Sequence, residues 1–145
     1  MIKIKKVKAE KDYYKALNIR LKVFCDEQNM DIHEELDSKD KHAIHYLILE
    51  NDTAVGTCRY LKEKSYYLIG RVAILSSYRK KGYGSQLIQK VIKDILKKDK
   101  NAIIELHAQY DKQEFYQKLG FAPFKTPFLE ANIQHIGMRY QVIKK

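Results

Sequence analysis

The hydrophobic rhythm of this chain changes period across a glycine turn, and that change limits the folds open to it. Residues 66–75 are dense in aromatic and branched side chains and read as a strand. From Tyr83 onward Leu87, Ile88, Val91, Ile92, Ile95 and Leu96 fall on one face of a helix, with Gln89, Lys90, Lys93, Asp94, Lys97 and Lys98 opposite. A strand that passes so directly into an amphipathic helix needs a sheet on which that helix can bury its apolar face.

The rest of the chain supplies such a sheet. The opening MIKIKKVK alternates apolar and basic residues, the pattern of a half-exposed strand. Asp12 is placed to cap a helix in which Ala16, Leu17, Ile19, Arg20, Val23 and Phe24 recur at helical spacing. The acidic stretch after it has weak periodicity and reads as a loop with one helical turn at most. Apolar runs at 44–50 and 53–61 are split by Asn51-Asp52, a tight hairpin turn. Residues 102–108 read as a buried strand and 112–119 as a short helix closed by Gly120. Two last strands, 121–124 and 135–142, flank a loop containing Pro127. The predicted order is strand, helix, three strands, helix, strand, helix, two strands: an α/β (α+β) fold around one mixed sheet. With 145 residues and no repeat or linker, a single domain, 1–145, is expected.

Composition narrows the function classes. No run of about 18 apolar residues exists, and the charged N-terminal segment lacks the apolar core of a secretory signal. Cys25 and Cys58 stand alone without CxxC spacing, so a disulfide framework and a zinc site are not indicated. A cytoplasmic protein with reduced thiols and no metal is expected, His33 beside Glu34 and Glu35 having no ligand spacing. The net charge of +10 raises a nucleic-acid partner, but Lys far outnumbers Arg and no recognition signature accompanies it. No specific nucleic-acid binding and no membrane partner are expected. Charge is divided locally: residues 79–100 are mostly basic, whereas residues 26–40 are mostly acidic.

The segment that carries chemistry reads GRVAILSSYRKKGYGS over residues 70–85. The first amides of a helix lack internal partners and attract anions, glycine lets a phosphate approach the backbone, and Arg79, Lys80 and Lys81 add charge. A Walker loop would need GxxxxGK[ST], which is absent, and the dinucleotide fingerprint GxGxxG fails because Leu87 stands at its last position. What remains is RxxGxG between strand and helix, which an ordinary basic turn also satisfies.

About thirty residues further on, EFYQKLGF (114–121) places a tyrosine on a short helix that ends in glycine. The two motifs in this order resemble the GNAT superfamily of N-acetyltransferases. RLKVFCDEQNM, AQYDKQEFYQKLGF and FLEANIQHIGM extend the resemblance over most of the chain, to its ElaA/YjcF-like branch. The resemblance implies a central mixed, mostly antiparallel sheet with splayed middle strands, flanked by helices, and acetyl-CoA as co-substrate with an amine acceptor, either a small molecule or a peptide. It also raises a homodimer through the C-terminal strands. Carried over, the backbone of Val72, Ala73 and Ile74 would hold the pantetheine arm, and Arg79, Lys80, Lys81, Gly82, Tyr83, Gly84 and Ser85 the pyrophosphate. Gln109 stands where the family usually has an asparagine that touches pantetheine. Tyr116 would be the acid that protonates the leaving thiolate.

The general base is not named by the motifs. Glu105 and His107 share one face of their strand, with Ile104 and Leu106 on the other. Glu27, Glu34, Glu35 and Asp37 offer carboxylates that suit an ammonium substrate, and a solvated acidic loop accounts for them equally well. A covalent route through Cys25 or Cys58 lacks any motif. A non-catalytic acyl-CoA-binding or regulatory protein with the same fold remains the alternative to the enzyme.

Overall fold

In a computed structural model, which describes residues 1–31 and 38–141, the described residues form eight strands and three α-helices. Strand β1 (Ile2–Lys6) is followed by α1 (Glu10–Arg20), β2 (Ile44–Glu50), β3 (Thr53–Lys62), β4 (Tyr67–Ile74) and α2 (Tyr83–Lys98). Then come β5 (Ile104–Gln109), α3 (Gln113–Lys118), β6 (Phe121–Pro123), β7 (Phe128–Glu130) and β8 (Ile133–Tyr140). All eight strands form one sheet in the order β1-β2-β3-β4-β5-β8-β6, with β7 also on β8. Every pairing is antiparallel except β4–β5.

Helix α2 behaves as its pattern predicts. Leu87, Ile88, Val91, Ile92 and Ile95 are buried against one face of the sheet, among Tyr46, Ile48, Val55, Ile69, Ile104 and Leu106. Burial of each such aliphatic side chain stabilises the fold by roughly 1.5–3 kcal/mol relative to exposure. Helix α1 covers the opposite face, where Ala16, Ile19, Val23 and Phe24 pack on Leu47, Leu49 and Ala73. The Asn51-Asp52 turn joins β2 to β3 with both residues at positive φ (49° and 69°), the geometry that matches the twist of the strands. Gly120 closes α3 at φ 100°, as expected of a left-handed helix cap.

Three expectations are corrected. Asp12 does not cap α1: Ala9 holds that position, and Asp12 lies in the first turn paired with Lys5 (2.9 Å) and Lys15 (3.6 Å). The ion pair with β1 outweighs the cap because it ties the helix to the sheet. The helical run beyond Arg20 widens into a π-helical turn, Leu21–Glu27. The C-terminal region has three strands, not two, since Phe128–Glu130 pairs with β8 through an Ala131-Asn132 turn at positive φ (52° and 62°).

One buried ionic cluster anchors α1 to the sheet. The Asp40 carboxylate accepts from Arg20 Nη1 (3.0 and 2.9 Å), Arg59 Nη1 and the Tyr13 hydroxyl (2.6 Å). Burial pushes this carboxyl up, but Tyr13, Arg20 and Arg59 outweigh burial and hold it below its ordinary value of 3.8. A depressed carboxyl contributes stability that is complete above its unfolded-state value and is lost as pH falls through the lower folded-state value. Removing the partner of buried guanidiniums costs about 3–5 kcal/mol. Asp40→Ala should therefore lower the unfolding free energy measured in urea by that amount near pH 7, and the deficit should shrink as pH falls below about 4. A constant deficit across pH would show that lost packing dominates.

Candidate active site

The site begins where two central strands part. β4 and β5 run parallel and pair at Tyr67↔Ile104, Leu68↔Glu105 and Ile69↔Leu106. Beyond Leu106 no pairing joins them, although β4 continues to Ile74 and β5 to Gln109. On its other edge β4 bulges: Arg71, at φ 52°, and Val72 together stand opposite Cys58. A two-against-one bulge bends and twists its strand, here at the point where β4 leaves β5. Both strands point their C-terminal ends into the gap. Val72 and Ile74 lean toward the α2 side, and Ala73 is buried on the α1 side.

At the end of β4 the turn 76–82 leads into α2. Lys80 (φ 65°) and Gly82 (φ 80°) are both left-handed, a conformation that costs a side chain and suits glycine. Among the described residues, the amides of Lys80, Lys81, Gly82, Tyr83, Gly84 and Ser85 donate to no backbone carbonyl, and the helix ladder starts only with Gln86 to Gly82 (3.1 Å). Alternating left- and right-handed residues at a helix start turn such amides toward one point, a concavity suited to an anion.

Several side chains of this turn are engaged within the protein. Arg79 Nε donates to the Ile74 carbonyl (2.9 Å), and Nη2 pairs with Glu27 (2.7 Å). Arg79 therefore braces the turn, and Glu27, expected to meet an ammonium substrate, is its partner. Tyr83 is buried, with its hydroxyl donating to Glu50, and Lys81 Nζ lies 3.4 Å from the same carboxylate. Lys80 stays exposed and Ser85 half-buried.

At the end of β5, the turn Tyr110–Lys112 and α3 bring Tyr116 to the α2 side of the gap. Its ring packs edge-on against Phe115 (5.0 Å between centroids) and Phe121 (6.3 Å). Burial, with a smaller contribution from Cys58, pushes its phenol up to about 12. Cys58 is fully buried in β3, and burial raises its thiol too.

The α1 side of the gap carries a different set. Alternation along β5 turns Glu105, His107 and Gln109 to this face, while Ile104, Leu106 and Ala108 enter the core. Glu105 is taken by Arg139 of β8 (2.8 Å), which removes it as a base. His107 Nδ1 lies 3.1 Å from Glu130 Oε1, and its ring meets Phe128 edge-on. Gln109 Nε2 donates to Gln28 Oε1 (2.9 Å) just after the π-helical turn. Glu130, His135, Gln28 and Arg71 belong to this side and carry no motif. Asp37, like His33, Glu34 and Glu35, lies outside the described residues. Among the described residues no cluster of His, Cys, Asp or Glu could hold a metal ion, and no helix is long and apolar enough to cross a membrane.

Residues 9–142 match the acetyltransferase (GNAT) domain. The chain is 29% identical over 132 residues to the uncharacterized N-acetyltransferase YjcF of Bacillus subtilis, covering 90% of this chain and 94% of that one. Escherichia coli ElaA superimposes with a TM-score of 0.87 at 30% identity, covering 96% of this chain and 99% of its own. An acyl-CoA N-acyltransferase from Pseudomonas aeruginosa does so with 0.88 at 26% identity, covering 97% and 100%. This chain belongs to the GNAT acetyltransferase family.

Proposed function

We propose that this protein moves the acetyl group of acetyl-CoA to a primary amine by direct attack in a ternary complex. The observation that carries this reading is the parting of β4 and β5 after Ile69↔Leu106, with free amides at one end of the gap and Tyr116 at the other. A pantetheine arm has the amides and carbonyls to pair with the backbone of Val72, Ala73 and Ile74, as an added strand would. The amides of residues 80–85 then receive the pyrophosphate, with Lys80 as the exposed countercharge. This arrangement orients the thioester with its sulfur toward Tyr116 and its carbonyl carbon toward the α1 side.

Attack by a neutral amine forms the C–N bond and breaks the C–S bond. The departing thiolate has an ordinary pKa near 8.5 and needs a proton source in a site shielded from water. A phenol raised to about 12 is protonated throughout the neutral range and stands ready to donate. The nitrogen loses its own proton to a base on the opposite side. Cys58 does not serve as an acyl carrier, because a fully buried thiol with a raised pKa supplies no thiolate.

Acetyl-CoA and CoA, but not ATP or NAD, should stabilise the protein. At one hundred times the dissociation constant the gain is about 2.7 kcal/mol, several degrees in the unfolding midpoint. Absence of any shift with either CoA species would remove the donor site. Tyr116→Phe should keep that stabilisation yet lower kcat by about 100-fold with the best acceptor among a polyamine, an aminoglycoside, an amino acid and a lysine peptide. An unchanged kcat would end the acid assignment. Native-state alkylation should modify Cys25 well before Cys58, and a Cys25→Ser/Cys58→Ala protein that folds should retain acetyl transfer.

A further inference from the structure

The α1 side of the gap holds a histidine arranged as a base. His107 stands one residue beyond the last β4–β5 pair, on the face opposite Tyr116. Its Nδ1 meets Glu130 Oε1 at 3.1 Å, its ring is fixed edge-on by Phe128 at 5.1 Å, and Gly137 lies opposite it on β8, adding no bulk. Glu130 is held in turn from two sides: His135 Nε2 lies 3.7 Å from Oε2, and Arg71 on β4 adds its charge. The hydrogen bond from His107 comes first among the causes that keep the Glu130 carboxyl below its ordinary range, against the effect of burial. An ionised Glu130 can only accept, so it fixes the proton of His107 on Nδ1 and leaves Nε2 with its lone pair. Nε2 has no partner among the described residues, and the side chain is about a third exposed (31%). Of the other charged groups on this face, Glu105 and Arg139 pair with each other at 2.8 Å, and the side chain of Lys125 lies over Gly137, opposite His107.

We propose that His107 is the general base of the transfer and that Glu130, acting through it, is the residue that sets its tautomer and orientation. The inference rests on the acetyltransferase reading above. As the amine nitrogen bonds to the thioester carbon, its proton passes to His107 Nε2. The electron pair of the breaking C–S bond stays on sulfur, which takes the proton of Tyr116. The imidazolium, stabilised by Glu130, then releases its proton through solvent to the phenolate. Acid and base thus work from opposite faces of the sheet with the thioester between them.

Two measurements on the full-length protein test this. In the first, 15N spectra of the imidazole groups at neutral pH should show His107 protonated on Nδ1 and bare on Nε2. Glu130→Ala should redistribute that proton, and the opposite tautomer in the unsubstituted protein would overturn the proposal without touching the acetyl-CoA site. In the second, acetylation of the best amine in the panel is followed against pH. His107→Gln should lower kcat by about 100-fold and erase the acid limb of the profile. Glu130→Gln should lower kcat about tenfold, because the imidazole loses the acceptor that holds its tautomer. Both variants should keep the stabilisation by CoA, which shows that they fold and hold the donor. Unchanged profiles in folded variants would overturn the dyad while leaving Tyr116 and the donor site standing. Failure of the unsubstituted protein to acetylate any amine despite CoA binding would instead overturn the transfer reading, and the dyad with it.

Discussion

Amides and carbonyls that leave a sheet ladder must be paired elsewhere, and here they leave it in the middle of the sheet. After three parallel pairs, β4 and β5 separate, although each remains tied to its other neighbour. An edge strand offers the same unpaired groups to any passing chain, a liability proteins usually cover. A gap inside a sheet offers them only to something thin, extended and rich in amides.

Several unrelated contacts keep the gap open and give its two faces different chemistry. The bulge at Arg71 and Val72 bends β4 away. Arg79 ties the turn beyond β4 to Glu27 at the end of the π-helical segment, and Gln109 ties the end of β5 to Gln28 beside it. The first helical segment thus spans the gap from above, held to both strands by polar bonds that exchange more easily than packed apolar groups. Below, Tyr116 rests on aromatic side chains. The same sheet, by turning alternate residues of β5 in opposite directions, supplies an apolar floor toward Tyr116 and a polar wall of His107 and Gln109.

How much was legible in advance follows from how local each signal is. Helix α2 and its glycine turn were plain, because apolar residues repeat over four turns and no competing pattern fits. The Asn51-Asp52 hairpin was plain because those residues accept positive φ at low cost. Strand β7 was not, since three residues carry no period and Ala131-Asn132 is a turn of the same kind built with a residue that does not announce it. Arg79 and Glu27 each read as ligand-facing; their pairing with each other is not legible, because they lie 52 positions apart and meet only in the folded chain. His107 was visible as a titratable residue on a strand. Its meaning depends on Glu130, which only the β7–β8 hairpin brings beside it.

The most direct test is a structure of the protein with CoA bound. Pantetheine should lie between β4 and β5, bonded to the backbone of Val72, Ala73 and Ile74, with the pyrophosphate on the amides of residues 80–85. The sulfur should sit within hydrogen-bond reach of the Tyr116 hydroxyl. CoA lying outside the gap, or a sulfur turned away from Tyr116, would contradict the account.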